Sequence, residues 1–212
     1  MRRGADYDAA MVRLYDYLPS GNGYKVRLLL TRLGVPFERV ELDITAGATR
    51  TPSFLAKNPN GRIPTVELDD GRILAESNAI LWYFAEGTPL LPDDRWARAQ
   101  ILQWLFFEQY SHEPNIATVR FWLHTQLTDD RRAMLPAKRT AGHAALALME
   151  SHLTSHHFLV GDTDTIADIA LYAYTHVADE GGFDLSPYPS IQAWLTRIAN
   201  LPRHIPITTP VG

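Results

Sequence analysis

Asn58-Pro59-Asn60-Gly61-Arg62-Ile63-Pro64, followed twelve residues on by Glu76-Ser77-Asn78-Ala79-Ile80, decides the reading of the whole chain. A proline donates no ladder hydrogen bond, so Pro64 belongs at the edge or the first residue of the apolar strand that follows it. Ile63-Pro64 is a candidate cis bond, because only X-Pro bonds reach that form cheaply. A strand entered in this way leaves the Ile63 backbone open to pair with something other than a neighbouring strand. Glu76 and Ser77 stand at the mouth of a helix expected over 77–85, where free N–H groups and the helix dipole attract a carboxylate. Together the two stretches describe a place where a peptide-like ligand lies along exposed backbone and sets its charged end on a helix.

Working outward, residues 12–18 alternate as a strand does and stop at Pro19-Ser20-Gly21. Residues 24–33 carry Val26, Leu29, Leu30 and Leu33 at helical spacing and end at Gly34. A second strand follows over 37–42, and strand, helix, strand within this span reads as a right-handed parallel unit. The piece 45–57 is less regular, with Pro52 placed to open a short helix. Residues 65–68 and 72–75 flank Asp69-Asp70-Gly71, a hairpin signal. A first domain is therefore expected over 11–86, with the proline- and glycine-bearing linker 87–95 behind it. Residues 96–212 read as all-helical: 96–122 with Pro114 kinking or dividing it, 131–153, a helix running from Ile166 through Val177 behind a Thr165/Asp168 capping box, and a last helix over 189–200.

Composition bounds the function. A 212-residue chain with 46% hydrophobic and 21% charged residues is ordinary for a globular protein and long enough to bury a substantial core. A formal charge of −4 with no basic stripe argues against a nucleic-acid partner. Without a single cysteine the chain has no disulfide, no thiolate metal site and no cysteine nucleophile of its own. The stretch 1–10 holds two arginines but no apolar run behind them, so it does not read as a secretory signal. The most apolar helical stretch is short and contains Asp168, so no membrane span is expected. A cytoplasmic protein is the default expectation.

The order of elements, with Ser20-Gly21-Asn22-Gly23-Tyr24-Lys25-Val26-Arg27, Asn60-Gly61-Arg62-Ile63-Pro64, Glu76-Ser77-Asn78-Ala79-Ile80 and Gly161-Asp162 ahead of Thr165-Ile166-Ala167-Asp168, resembles the bacterial cytosolic glutathione transferases. The resemblance covers nearly everything after residue 11. It implies a thioredoxin-like α/β N-terminal domain joined to an all-α C-terminal domain, glutathione as co-substrate, no metal, and a homodimer. Ser20 is similar to the catalytic hydroxyl of serine-type classes (Zeta, Tau and relatives). Asn22-Gly23 before an aromatic and Lys25 is similar to the Nu class, in which an asparagine is implicated at the thiol.

The chemistry required is modest. A free thiol with a pKa of about 8.5 is about 3% ionised at pH 7, and the thiolate is the nucleophile. Moving that value to about 6.5 takes about 2.7 kcal/mol. One hydrogen bond to a charged acceptor gives about 1.5–3 kcal/mol and a helix N-terminus about 0.3–1, so a single donor at the first helix suffices without a general base. Ser20 is expected to be the principal donor, with Asn22 assisting or replacing it; either also suits an N-cap. The resemblance gives Ile63 the cysteinyl backbone of glutathione by strand addition, and Pro64 the geometry for it. Glu76 and Ser77 take the γ-glutamyl end, and Arg62, with Arg50 as a second candidate, the glycyl carboxylate. The electrophile is expected to face the helix spanning 106–122, with Tyr110 the candidate pocket residue.

The partner is a small electrophile or a disulfide. The alternatives are a Zeta-like isomerase of a maleyl-type diacid, which the absent Ser-Ser-Cys pattern counts against, and a glutathione-binding module without catalysis. Other patterns lead nowhere. His152, His156 and His157 lack the glutamate of a metalloprotease helix, and Gly21-x-Gly23 has Val26 where a dinucleotide fingerprint needs a small residue.

Overall fold

The computed structural model describes residues 11–212, which form two compact units. The first holds the chain up to Pro92 together with Pro202–Gly212, and the second holds Asp93–Leu201. The stretch 1–10, and with it the reading of the N-terminus, lies outside the described residues.

In the first unit the order is β1 (Val12–Asp16), α1 (Gly21–Leu33), β2 (Phe37–Glu41), a 3₁₀ turn (Ala48–Arg50), α2 (Pro52–Leu55), β3 (Thr65–Glu67), β4 (Ile73–Ala75) and α3 (Ser77–Ala85). The sheet runs β2-β1-β3-β4, with β1 parallel to β2 and antiparallel to β3, and β3 antiparallel to β4. This is the thioredoxin-like arrangement that the sequence led us to expect. Its core is continuous, since Leu14 and Val66 from the sheet, Val26, Leu29 and Leu30 from α1, and Ile80, Leu81 and Phe84 from α3 have no exposed surface. Helices α1 and α3 pack on each other, which brings the two motif-bearing helix starts side by side.

Two of the differences from the sequence reading have a clear physical cause. Helix α1 starts at Gly21, three residues earlier than its first aromatic, because Ser20 in extended backbone accepts the Gly23 N–H and caps the helix there. Its end is as expected: Gly34, at φ 71°, sends its N–H back to the carbonyls of Leu30 and Thr31. The other difference is the tail. Residues 202–212, expected with the helical domain, belong to the first unit. There, Tyr24 Oη donates to the Ile205 carbonyl at 2.7 Å, and Arg27 Nη1 donates to the carbonyls of Ile207 and Thr209 at 2.9 and 3.1 Å.

The second unit is helical: α4 (Arg95–Phe107), a π-helical turn (Glu108–His112), α5 (Glu113–His124), α6 (Asp129–Leu153), α7 (Ile166–Thr175), a 3₁₀ turn (Ala178–Gly181) and α8 (Pro189–Ala199). Asp94 and Thr128 cap α4 and α6 through their side chains. Pro114 divides the helix expected over 96–122 rather than merely bending it. Having no N–H, it cannot bond the carbonyl four residues back, and just ahead of it the Glu113 N–H reaches the Glu108 carbonyl in the wider π pattern. The capping box of α7 is present. Thr165 N–H donates to Asp168 Oδ2 at 2.8 Å, and the Ala167 N–H donates to Thr165 Oγ1 at 3.2 Å. Among the described residues no helix is long and apolar enough to cross a membrane.

Candidate functional site

The site is built on the first turn of α1, the segment leading into β3, and the first turn of α3. Ser20, half-buried, holds the Gly23 N–H on its Oγ at 3.2 Å. A hydroxyl that accepts in this way keeps its own proton to donate. Asn22 follows on the same turn, also half-buried. Gly23 is there because nothing larger fits: a Cβ at this position would lie 1.6 Å from Asp16 Oδ1.

Asp16 is fixed in turn. It is fully buried at the end of β1, with Arg27 Nε 2.8 Å from its Oδ2. Burial pushes its carboxyl up to about 6, and the Arg27 charge pulls the other way. Arg27 Nη2 also donates to the Leu18 carbonyl at 2.7 Å, so one buried guanidinium ties together β1, the turn before α1 and the tail.

The α3 end meets this turn directly. Ser77 Oγ donates to Asn22 Oδ1 at 3.2 Å, joining residues 55 apart in sequence. Lys25, with no exposed surface, reaches Ser77 Oγ at 3.3 Å and Asn78 Oδ1 at 3.5 Å. Glu76, at the N-cap of α3, has φ 68°, a region L-residues seldom enter, and its exposed side chain makes no capping bond. Strained backbone of this kind concentrates at ligand clamps.

The Ile63-Pro64 bond is cis. Pro64 is buried, Ile63 is half-buried, and among the described residues no hydrogen bond engages the Ile63 backbone. Asn58 clamps this bend: its Nδ2 donates to the Arg62 carbonyl at 2.8 Å and to Thr65 Oγ1 at 3.0 Å, and its Oδ1 accepts the Asn60 N–H at 3.1 Å. The Arg62 side chain is exposed, whereas Arg50 donates to the Asn60 carbonyl at 3.2 Å and so serves the bend itself.

Ser20, Asn22 and Ser77 are therefore brought together with Glu76 on one helix pair, and Arg62, Ile63 and Pro64 lie on the adjoining bend of the same unit. Tyr110 is in the second unit, on the π turn, 87% exposed. The His152 and His156 rings stack at 4.1 Å, and the His152 ring nitrogen lies 3.1 Å from the Leu159 carbonyl. Among the described residues no cluster of side chains suited to a metal ion exists. Sequence reasoning passed over the roles of Lys25, Asp16 and Asn58. For Lys25 a signal was available: it stands four residues before Leu29, on the buried stripe of α1, where a cation is out of place unless it has oxygen partners.

Two family models match the chain: glutathione S-transferase, N-terminal domain, over residues 10–86, and glutathione S-transferase, C-terminal domain, over 99–202. The chain is 53% identical to a glutathione S-transferase of Pseudomonas fluorescens, whose crystal structure superposes with a TM-score of 0.91 over 93% of this chain and 99% of that one. It is 27% identical to Ure2p in complex with glutathione, with a TM-score of 0.83 over 91% and 95% of the two chains. With protein URE2 of Eremothecium gossypii it shares 30% identity over 89% of its own length, and it spans only 65% of that relative.

Proposed function

Since the chain belongs to the glutathione S-transferase family, we propose that it is a catalytically competent member. In this reading it binds reduced glutathione on the first unit and holds the thiol ionised for attack on small electrophiles or for glutathione-dependent reduction of disulfides and peroxides. The observation that carries this reading is the 3.2 Å link between Ser77 Oγ and Asn22 Oδ1. It joins the residue suited to the γ-glutamyl carboxylate to the turn suited to the sulfur.

Each part of the tripeptide has a complementary partner. The Ile63 N–H and C=O pair with the cysteinyl backbone as an added strand would, presented by the bend that Asn58 clamps. Ser77, through its backbone N–H at the α3 N-terminus, takes the γ-glutamyl carboxylate, and Glu76 takes its ammonium. Arg62 reaches the glycyl carboxylate. At the sulfur, the Ser20 hydroxyl and the Asn22 amide supply neutral donors beside the α1 N-terminus, together sufficient for the roughly 2.7 kcal/mol that thiolate formation requires. Tyr110 is assigned to the electrophile. The protein works as a homodimer in the cytoplasm.

Separate Ser20→Ala and Asn22→Ala variants test the reading through the thiolate absorbance of bound glutathione against pH. At least one is expected to raise the bound thiol pKa by about one unit or more, equivalent to about 1.4 kcal/mol, and to lower kcat/KM about tenfold. If glutathione binds wild type with an unshifted thiol pKa, the chain is a binding module. If both variants behave as wild type, the donor assignment is wrong. A chloro-aromatic conjugation assay beside a disulfide-reduction assay then separates the two reaction classes.

A further inference from the structure

We propose that the buried Asp16 carboxyl is electrostatically coupled to the bound sulfur through the first turn of α1, so that each of the two ionisations makes the other harder. This rests on the reading above, in which the sulfur lies against Ser20 and Asn22.

The coupling is set by geometry. Asp16 ends β1 with no exposed surface, and the first turn of α1 lies against it. A Cβ on Gly23 would stand 1.6 Å from Asp16 Oδ1, so with one further carbon–carbon bond of about 1.5 Å that oxygen is no more than about 3.1 Å from the Gly23 Cα. The Gly23 N–H in turn donates to Ser20 Oγ at 3.2 Å. Asp16 Oδ1 is therefore within about 8 Å of the Ser20 hydroxyl, and within about 11 Å of a sulfur hydrogen-bonded to it. Across that distance, at an effective dielectric constant of about 20–40, two like charges raise each other's pKa by about 0.5–1 unit.

Arg27 does not cancel this effect. Its guanidinium, with Nε 2.8 Å from Asp16 Oδ2, keeps its charge wherever either acid titrates, so it favours both anions and leaves their mutual repulsion in place. Arg39 of β2, itself paired with Glu41, also pulls the Asp16 carboxyl down. From α1 the Tyr24 ring lies 5.6 Å from the Arg27 guanidinium, and its hydroxyl is 3.2 Å from Nε2 of His204 in the tail. Burial and the Arg32 charge hold that imidazole below its ordinary value.

Burial pushes the Asp16 carboxyl up to about 6, close to the value of about 6.5 required of an activated thiol. Acidification then discharges Asp16 while it protonates the sulfur, and the lost carboxylate charge makes the remaining thiolate easier to keep. The thiolate population falls less steeply from pH about 7 to about 5 than a lone thiol would allow.

The test is a pH titration of the thiolate absorbance of bound glutathione in the full chain, with Asp16→Asn beside wild type. The variant is expected to titrate as a single group, with its midpoint lower by up to about one unit and the thiolate-to-thiol ratio at neutral pH higher by up to about tenfold. The wild-type curve is expected to be broader. A variant midpoint equal to or above that of wild type would overturn the proposal.

Linkage supplies a second readout that needs no variant, since whatever Asp16 does to the sulfur the sulfur does to Asp16. By carbon-13 NMR of wild type, the Asp16 carboxyl is expected to titrate higher with glutathione bound than with S-methylglutathione, whose sulfur cannot ionise. Equal midpoints would overturn the proposal, and this measurement decides if Asp16→Asn does not fold. A bound thiol with a lowered pKa that is indifferent to Asp16 removes this inference and leaves the reading beneath it intact. A bound thiol at its free value removes both.

Discussion

Replacing Asp168 with asparagine should destabilise the protein by an amount that depends on pH, and in the direction opposite to most buried carboxylate contacts. Asp168 is wholly buried, and four donors converge on it. Oδ1 accepts from the Leu159 N–H at 3.0 Å and Trp194 Nε1 at 2.9 Å, and Oδ2 accepts from the Thr165 N–H at 2.8 Å and the Thr165 hydroxyl at 3.2 Å. Burial pushes its pKa up to about 6 from 3.8, with those donors pulling it down. A folded-state value above the unfolded one means that the folded chain holds the proton more tightly. This group therefore favours folding most in acid, its contribution falls as pH rises from about 4 to about 6, and above that it is constant.

A shift of about 2 units amounts to about 3 kcal/mol in all, of which about 2 kcal/mol is already expressed at pH about 4.5. The asparagine would not titrate. Whichever way its amide turned, it would face two donors with a donor, stranding N–H groups at about 1–3 kcal/mol each, while at pH about 7 it would relieve about 3 kcal/mol of charge burial. The expected loss in Asp168→Asn is thus no more than about 3 kcal/mol at pH 7 and about 2 kcal/mol larger at pH 4.5. Urea unfolding of both proteins at the two pH values, at equal concentration and followed by far-UV circular dichroism, measures it. Carboxylates common to both chains cancel in the difference. A loss that is the same at both pH values, or larger at pH 7, would mean that burial does not raise the Asp168 pKa on folding.

Two further outcomes follow from the first unit. Gly23→Ala would place a methyl group 1.6 Å from Asp16 Oδ1, in a buried carboxylate whose other oxygen, Oδ2, lies 2.8 Å from Arg27 Nε. Overpacking at so rigid a contact should cost about 3 kcal/mol, a fall of roughly 6–12 °C in Tm, and a melt within a degree or two of wild type would show that the turn yields. Arg27→Met would leave Asp16 buried without its partner and three carbonyls without their donor, a loss of about 3–5 kcal/mol. It should also release the tail, so that trypsin cuts after Arg203 faster than in wild type, as mass spectrometry would show; unchanged cleavage would mean that Tyr24 holds the tail alone.

Where the fold was legible, local chemistry and burial agreed. Val26, Leu29 and Leu30 are spaced as a helix requires and are all buried, and Gly34 ends that helix by taking a conformation that other residues avoid. Asp69-Asp70-Gly71 turned the chain as read, with Asp70 Oδ1 accepting the Arg72 N–H at 3.0 Å. Where the sequence was silent, the deciding partner was distant. Residues 202–212 have no period to read, and their place is set by Tyr24 and Arg27 about 180 positions earlier. The π turn before Pro114 is a third kind of case: the proline announced a break, but its form depended on which carbonyl the Glu113 N–H could reach.

The candidate site divides along the same line, and Ser20 marks the division. As an N-cap its oxygen accepts the Gly23 N–H at 3.2 Å, and a cap alone would account for a serine at this point. The two readings of Ser20 are compatible, because the cap uses a lone pair while a thiolate would use the proton. Loss of this hydroxyl therefore removes both roles together, costing about 0.5–2 kcal/mol of stability whether or not a sulfur is ever bound. Asn22 is not the N-cap residue, which is Ser20. Its oxygen accepts from Ser77, which accepts in turn from Lys25, and these contacts join the starts of α1 and α3. The residue whose loss would test thiol activation apart from the helix cap is therefore Asn22, tied through Ser77 to the start of α3.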